Sequence, residues 1–135
     1  MHTPNSQLLR RALQVNGIFS GLSGLAMIFA SNQFALLLGL GQTGPLLGIG
    51  IALVLYAAGL LWNARRANIN LKEAQLAVIM DFAWVAGSAI VIFTGMLSAT
   101  GNWIVALVAD VVLLFGVLQW LGIRKLQRAS ASSLA

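Results

Sequence analysis

Long apolar runs broken by short polar stretches dominate this chain. No charged residue stands between Arg11 and Arg65, and between Glu73 and Arg124 only Asp81 and Asp110 interrupt the apolar sequence. A helix needs about 20 residues to cross a hydrocarbon core of ~30 Å. Each of the two intervals therefore holds two crossings and a turn. Ser31-Asn32-Gln33 and the later Gly39, Gly41, Gln42 and Thr43 mark the first turn, and Ser98 to Asn102 the second. The pattern predicts an all-α membrane protein: one domain over 1–135, a four-transmembrane-helix bundle with spans at about 9–30, 44–63, 74–96 and 103–122. A polar tail follows at 124–135. Pro45 falls in the first turn of the second span, where its missing N–H costs nothing. The first apolar run is too long for a signal peptide and shows no clear small-x-small cleavage site, so it is read as a retained span. The apolar stretch Gln33–Leu40 is too short to cross. It is expected to lie along the interface as a helical turn or two, with a re-entrant plug as the alternative.

Composition agrees with hydrocarbon as the main solvent. Of the residues 59% are hydrophobic and only 8% charged, too few to cover a soluble surface. The net charge of +5 might suggest nucleic acid, but its placement points to a membrane and excludes a nucleic-acid partner. Arg10 and Arg11 precede span one; Arg65, Arg66 and Lys72 join spans two and three; Arg124, Lys125 and Arg128 follow span four. With four crossings all eight gather on one side, so the positive-inside rule predicts a multi-pass protein of the cell inner membrane with both termini cytoplasmic. Trp62 and Trp120 fit an inner aromatic belt and Trp103 an outer one. Arg65, Arg66, Lys72, Arg124 and Lys125 are the candidates for contact with anionic lipid headgroups.

The same inventory narrows the chemistry. There is no cysteine, the lone histidine is His2 at the amino terminus, and no lysine lies inside an apolar run. Thiolate metal sites, histidine-ligated haem, a Ser-His-Asp triad and a retinal-type Schiff base all lack their residues. No cofactor, no metal and no enzyme activity are expected.

What remains is a small set of polar residues inside the spans. A carboxylate at a helix centre costs about 2.5–3.5 kcal/mol on insertion scales, so Asp81 and Asp110 are expected to face the bundle and find partners. Trp84 and Ser88 share a face with Asp81 at helical spacing. Gln14, with the row Asn16, Ser20 and Ser23, forms a matching stripe on span one, and Asn16, Ser20 and the Trp84 indole are the expected donors to Asp81. Tyr56 on span two has a hydroxyl to satisfy and could join this interior. Asp110 is expected nearer the outer side, too far from Asp81 to pair with it. One reading makes the two acids a proton or cation relay, or the polar floor of a ligand pocket. The other makes them hydrogen-bonded glue between helices.

A weak internal repeat supports the same geometry. Laying span three on span one aligns Asn16 with Asp81, Phe19 with Trp84 and Ser23 with Ser88. Laying span four on span two aligns Ala58 with Gly116, Trp62 with Trp120 and Arg66 with Arg124. Two parallel helical hairpins about an axis along the membrane normal would produce this, and would set Asn16 opposite Asp81. Gly17-x-x-x-Gly21 with Gly24, Gly44-x-x-x-Gly48 with Ala52, and Ala83-x-x-x-Gly87 are the candidates for close helix approach.

The run Leu13-x-x-Asn16-x-x-Phe19-Ser20-x-x-Ser23-Gly24-Leu25, with Asp81-x-x-Trp84-x-x-x-Ser88, resembles an uncharacterised bacterial family of short four-helix inner-membrane proteins. The resemblance runs over most of the chain and implies a bacterial membrane protein without implying a mechanism. Two functions fit the residues. The first is a non-enzymatic accessory or binding module, holding a lipophilic small molecule or a partner membrane protein at the Asn16, Asp81 and Trp84 region. The second is a homo-oligomeric proton-linked transporter in which Asp81 and Asp110 titrate in sequence.

Overall fold

A computed structural model of the chain describes residues 6–134; His2 lies outside them, as does the last residue of the tail. The described residues form five helices and no strand: α1 (Gln7–Phe29), α2 (Ser31–Leu38), α3 (Gly44–Arg65), α4 (Leu71–Thr94) and α5 (Ala99–Leu134). Helices α1, α3, α4 and α5 are each long and apolar enough to cross a membrane. These are the four expected spans, with ends shifted by a few residues except in α5.

That exception has a plain cause. The tail beyond Arg124, expected as a loose polar segment, continues α5 to Leu134. No glycine or proline follows Gly122, and Arg124-Lys125-Leu126-Gln127-Arg128-Ala129 are good helix formers. At 1.5 Å per residue α5 is far longer than one hydrocarbon crossing. The short apolar stretch between the first two spans is helical, as α2, and closes on Gly39, whose φ of 76° is the left-handed C-cap conformation. Ser98 then ties the two turns at this end together. Its N–H donates to the Leu38 carbonyl at 2.9 Å and its hydroxyl to the Leu37 carbonyl at 2.8 Å.

The opposite end carries the basic residues and is fastened by polar side chains. Asn63 on α3 and Asn70 before α4 exchange two hydrogen bonds, of 3.0 and 2.8 Å, across the turn. The Asn70 carboxamide oxygen also caps α4, accepting from the N–H groups of Lys72 and Glu73. Arg10 is buried, and its guanidinium donates to the carbonyls of Ala64, Arg66 and Ala67. A cation thus sits where the carbonyls at the end of α3 run out of helical partners, the favourable site for positive charge on a helix dipole.

Around the bundle the spans follow the order α3, α1, α5, α4. The pairs α1–α3, α4–α5 and α1–α5 are packed along their contact, whereas α3 and α4 barely touch. The core at the basic end joins Leu9, Leu13, Leu60, Ala74 and Ile123. Outside it the surface is apolar: Phe93 is 90% exposed and Phe29 83%. A water-soluble protein does not present such a face; a bilayer solvates it. Trp62, Trp103 and Trp120 are also exposed, as belt residues should be.

The α1–α3 contact depends on two glycines that face one another. A Cβ on Gly24 would lie 2.7 Å from the Gly50 carbonyl oxygen, and one on Gly50 would lie 2.8 Å from that of Gly24. The other small residues named for close helix approach do not make it: Gly44 and Gly48 on α3 face open space, as does Gly87 on α4. Spacing alone recovers small residues without saying which way they point. Gly24→Val or Gly50→Val is therefore expected to lower stability by about 1–3 kcal/mol through overpacking. Gly48→Ala should leave it unchanged. Unfolding by sodium dodecyl sulfate in mixed micelles, followed by circular dichroism, measures the difference.

Candidate functional site

Asp81 lies ten residues into α4, about 15 Å from the start of that helix at the usual rise. It is 3% exposed, and every donor it uses comes from a different helix. Asn16 on α1 donates its Nδ2–H to Asp81 Oδ2 at 2.9 Å. Gln119 on α5 donates from Nε2 to the same oxygen at 2.6 Å. Tyr56 on α3 donates its hydroxyl to Asp81 Oδ1 at 2.9 Å. Each of the four spans thus contributes one side chain to a single polar layer. The amides are interlocked as well: Asn16 Nδ2 donates to Gln119 Oε1 at 3.0 Å, and the Ser20 hydroxyl donates to Asn16 Oδ1 at 3.0 Å. Asn16 and Gln119 are fully buried. A carboxylate held by three donors in an apolar surrounding satisfies the demand that buried polar groups be paired.

The Tyr56 hydroxyl has one proton and two acceptors in reach, Asp81 Oδ1 at 2.9 Å and the Ala77 carbonyl at 3.1 Å. With Asp81 ionised the proton points to Oδ1. With Asp81 neutral, the acid's own O–H donates to the Tyr56 oxygen and the tyrosine turns its proton to Ala77. The cluster keeps its hydrogen bonds in either state by rotating one hydroxyl.

Beside this layer lies a cavity of about 610 Å³ lined by residues of all five helices. Its walls are apolar, with Met27, Phe34 and Leu53 among them, and its polar groups are confined to Ser20, Ser23, Tyr56, Asp81 and Trp84. Phe19, which also lines it, is held edge-on to Phe115 with ring centroids 5.4 Å apart. The volume is within the usual 300–1,000 Å³ range of a small-molecule site. The gap has a structural origin. Two interfaces of the bundle differ, that of α1 with α5 and that of α3 with α4. The first is packed and the second is open.

Of the residues singled out from sequence, Asn16, Ser20, Tyr56 and Asp81 are brought together by hydrogen bonds, and Asn16 does face Asp81. Ser23 and Trp84 line the cavity without joining that network. Of the expected donors to Asp81, Ser20 donates to Asn16 instead and the Trp84 indole makes no bond to the carboxylate; Gln119 and Tyr56 take their places. Ser88 is buried on α4, about 10 Å along the helix from Asp81. Gln14, expected on the same stripe as Asn16, is exposed.

Asp110 requires a correction: it is exposed on α5, not turned into the bundle. Its side chain has no hydrogen-bond partner among the described residues. The reason lies in helical geometry. Asp110 and Gln119 are the two polar residues of the fourth span apart from its tryptophans, and nine positions at 100° each put them on opposite faces. Only one can face inward, and the cluster takes Gln119. That glutamine is the member of the cluster missed from the sequence, and this spacing was the signal that only one of the two faces inward.

Among the basic residues, Arg65, Lys72, Arg124 and Lys125 are exposed, with Arg124 stacked over the Trp120 ring at 5.0 Å. Arg66 is partly committed to the protein, 3.7 Å from Glu73. Among the described residues no group of three or more histidine, cysteine, aspartate or glutamate side chains is placed to hold a metal ion. Comparison with known protein families, with curated proteins and with solved structures finds no match to this chain.

The cluster makes a direct prediction. Gln119→Leu leaves an Asn16 N–H and an Asp81 lone pair unpaired in the bundle and should destabilise it by about 1–2 kcal/mol. Asp110→Asn, on the outer face, should change stability by less than about 0.5 kcal/mol. The same detergent unfolding assay separates the two.

Proposed function

We propose that this small multi-pass membrane protein is a non-enzymatic binding module of a bacterial inner membrane, holding a lipophilic ligand in the cleft between α3 and α4. The observation that carries the reading is an apolar cavity beside the sparsely packed α3–α4 interface, whose few polar groups include Tyr56 and Asp81 of the four-helix layer. A fold held by helix packing alone has no need to leave one of four interfaces unfilled, since close packing is where bundle stability comes from. An open α3–α4 seam gives a hydrophobic molecule access from the bilayer without crossing water. The residues at the floor fix its orientation; the rest of the wall is hydrocarbon.

A relay that uses both acids is less well supported. Asp110 points away from the cavity and is about 13 Å along α5 from Gln119. No polar side chain of the described network bridges them. On the orientation of the chain, the eight basic residues at one end support cytoplasmic termini and a cytoplasmic α3–α4 turn.

Two experiments test this reading. Val108→Trp fills the cavity from its α5 wall and should abolish binding of the neutral fluorophore N-phenyl-1-naphthylamine in lipid nanodiscs, whereas Asp81→Asn should retain it. Equal binding by wild type and the filled variant contradicts the proposal. The absence of cysteine allows single labels to be introduced cleanly. In intact cells an impermeant maleimide should label Thr43→Cys and leave Ala67→Cys unlabelled; the reverse pattern inverts the orientation.

A further inference from the structure

Resting on the binding-module reading, we infer that the cleft selects a lipophilic ammonium ion, an apolar body with a positively charged head seated at Asp81 and Trp84, and that a proton competes with it for the same oxygen.

The argument begins with the two oxygens of Asp81, which are not equivalent. Oδ2 accepts from both Asn16 and Gln119, residues that do not line the cavity, so its two lone-pair directions are filled from the closed side of the bundle. Oδ1 accepts from Tyr56 alone. Tyr56 and Asp81 both line the cavity, so the open lone pair of the carboxylate lies on the cleft side. The remaining contact there must come from a donor. A ligand carboxylate or phosphate offers none and is repelled. An alcohol offers one, and an ammonium offers donors together with the opposite charge.

The surroundings favour the charged option. Phe19, Phe34, Tyr56 and Trp84 all line the same cavity, and aromatic faces attract cations, most strongly where water is excluded. The chain itself supplies no competing cation: no basic residue occurs between Arg11 and Arg65 or between Lys72 and Arg124. A carboxylate in an aromatic-lined cavity is thus left for a cation from outside. The polar groups are few beside some fourteen apolar or aromatic wall residues, which demands a hydrocarbon or aryl body rather than a hydrophilic amine.

Competition with protons follows from the hydroxyl of Tyr56. A proton on Oδ1 is accommodated when Tyr56 turns to the Ala77 carbonyl, as described above, without loss of a hydrogen bond. Tyr56 on α3 is the only titratable group facing Asp81 among the described residues. Helix α1 presents Asn16 and Ser20, and α5 presents Gln119. Protonation of Oδ1 removes the charge that the ammonium requires, so the proton and the ammonium bind in alternation.

The probes are three molecules with one tail: dodecylammonium, dodecanol and dodecanoate. Binding is read from the fluorescence of Trp84 in nanodiscs of uncharged lipid, with Trp62, Trp103 and Trp120 replaced by Phe. Dodecylammonium should bind about tenfold or more tightly than dodecanol, the factor a desolvated cation–aromatic contact supplies, and dodecanoate weakest. Lowering the pH should release the ammonium and spare the alcohol. Asp81→Asn should bring ammonium and alcohol to similar affinity. The wild-type headgroup order and pH response decide the matter even if that variant does not fold. Equal affinity for all three heads, or a pH-independent ammonium affinity, overturns the inference while leaving the binding module standing. No Trp84 response to any of the three, with the naphthylamine also unbound, removes both.

Discussion

A carboxylate placed in hydrocarbon must be hydrogen-bonded by its own protein, and this bundle is arranged around that demand. Water is not there to solvate Asp81, and the chain has no intramembrane cation to neutralise it. Three helices therefore each send one donor to the fourth, and the depths and rotations of all four spans are fixed relative to one another by that layer. Apolar packing between transmembrane helices has little directional content, because lipid tails are as greasy as leucine. The polar layer supplies the register that packing lacks.

Around that layer the molecule divides the labour between its two ends. At the basic end, Arg10 on the last carbonyls of α3, the Asn63–Asn70 pair and the core of Leu9, Leu13 and Leu60 close the bundle. Close contact of α1 with α3 at Gly24 and Gly50 packs one side tightly. On the opposite side the seam between α3 and α4 is left open, and Tyr56 and Asp81 stand at its floor. Polar groups held by hydrogen bonds thus stand beside an apolar space, the arrangement on which the proposed binding function rests.

Much of this was legible in the sequence, for identifiable reasons. Charge-free runs between Arg11 and Arg65 set the number of crossings because transfer of charge into hydrocarbon is costly. The contact of Asn16 with Asp81 was legible because polar residues inside the spans must pair with one another where water is absent. Other features were hidden where several residues satisfy the same rule. Gly44, Gly48 and Gly50 are all small, and only the helix rotation decides that Gly50 meets Gly24. Trp84 and Gln119 could both donate to Asp81, and the indole is turned to the cavity wall. The cost of a carboxylate in hydrocarbon argues for an inward Asp110, yet its nine-residue separation from Gln119 forbids both facing in. The helical tail was concealed by its polarity, which marks solvent exposure rather than lack of structure.

The convergence of Asn16, Tyr56 and Gln119 on Asp81 is the claim most open to direct measurement. Solid-state nuclear magnetic resonance of the protein in lipid bilayers, with ¹³C–¹⁵N transfer from the side-chain amides, reports contacts to the carboxyl carbons. The account predicts correlations from both Asn16 Nδ2 and Gln119 Nε2 to Asp81 Cγ, and none from either amide to Asp110. Amide correlations that reach Asp110, or an Asp81 carboxyl carbon with no amide neighbour, would contradict it.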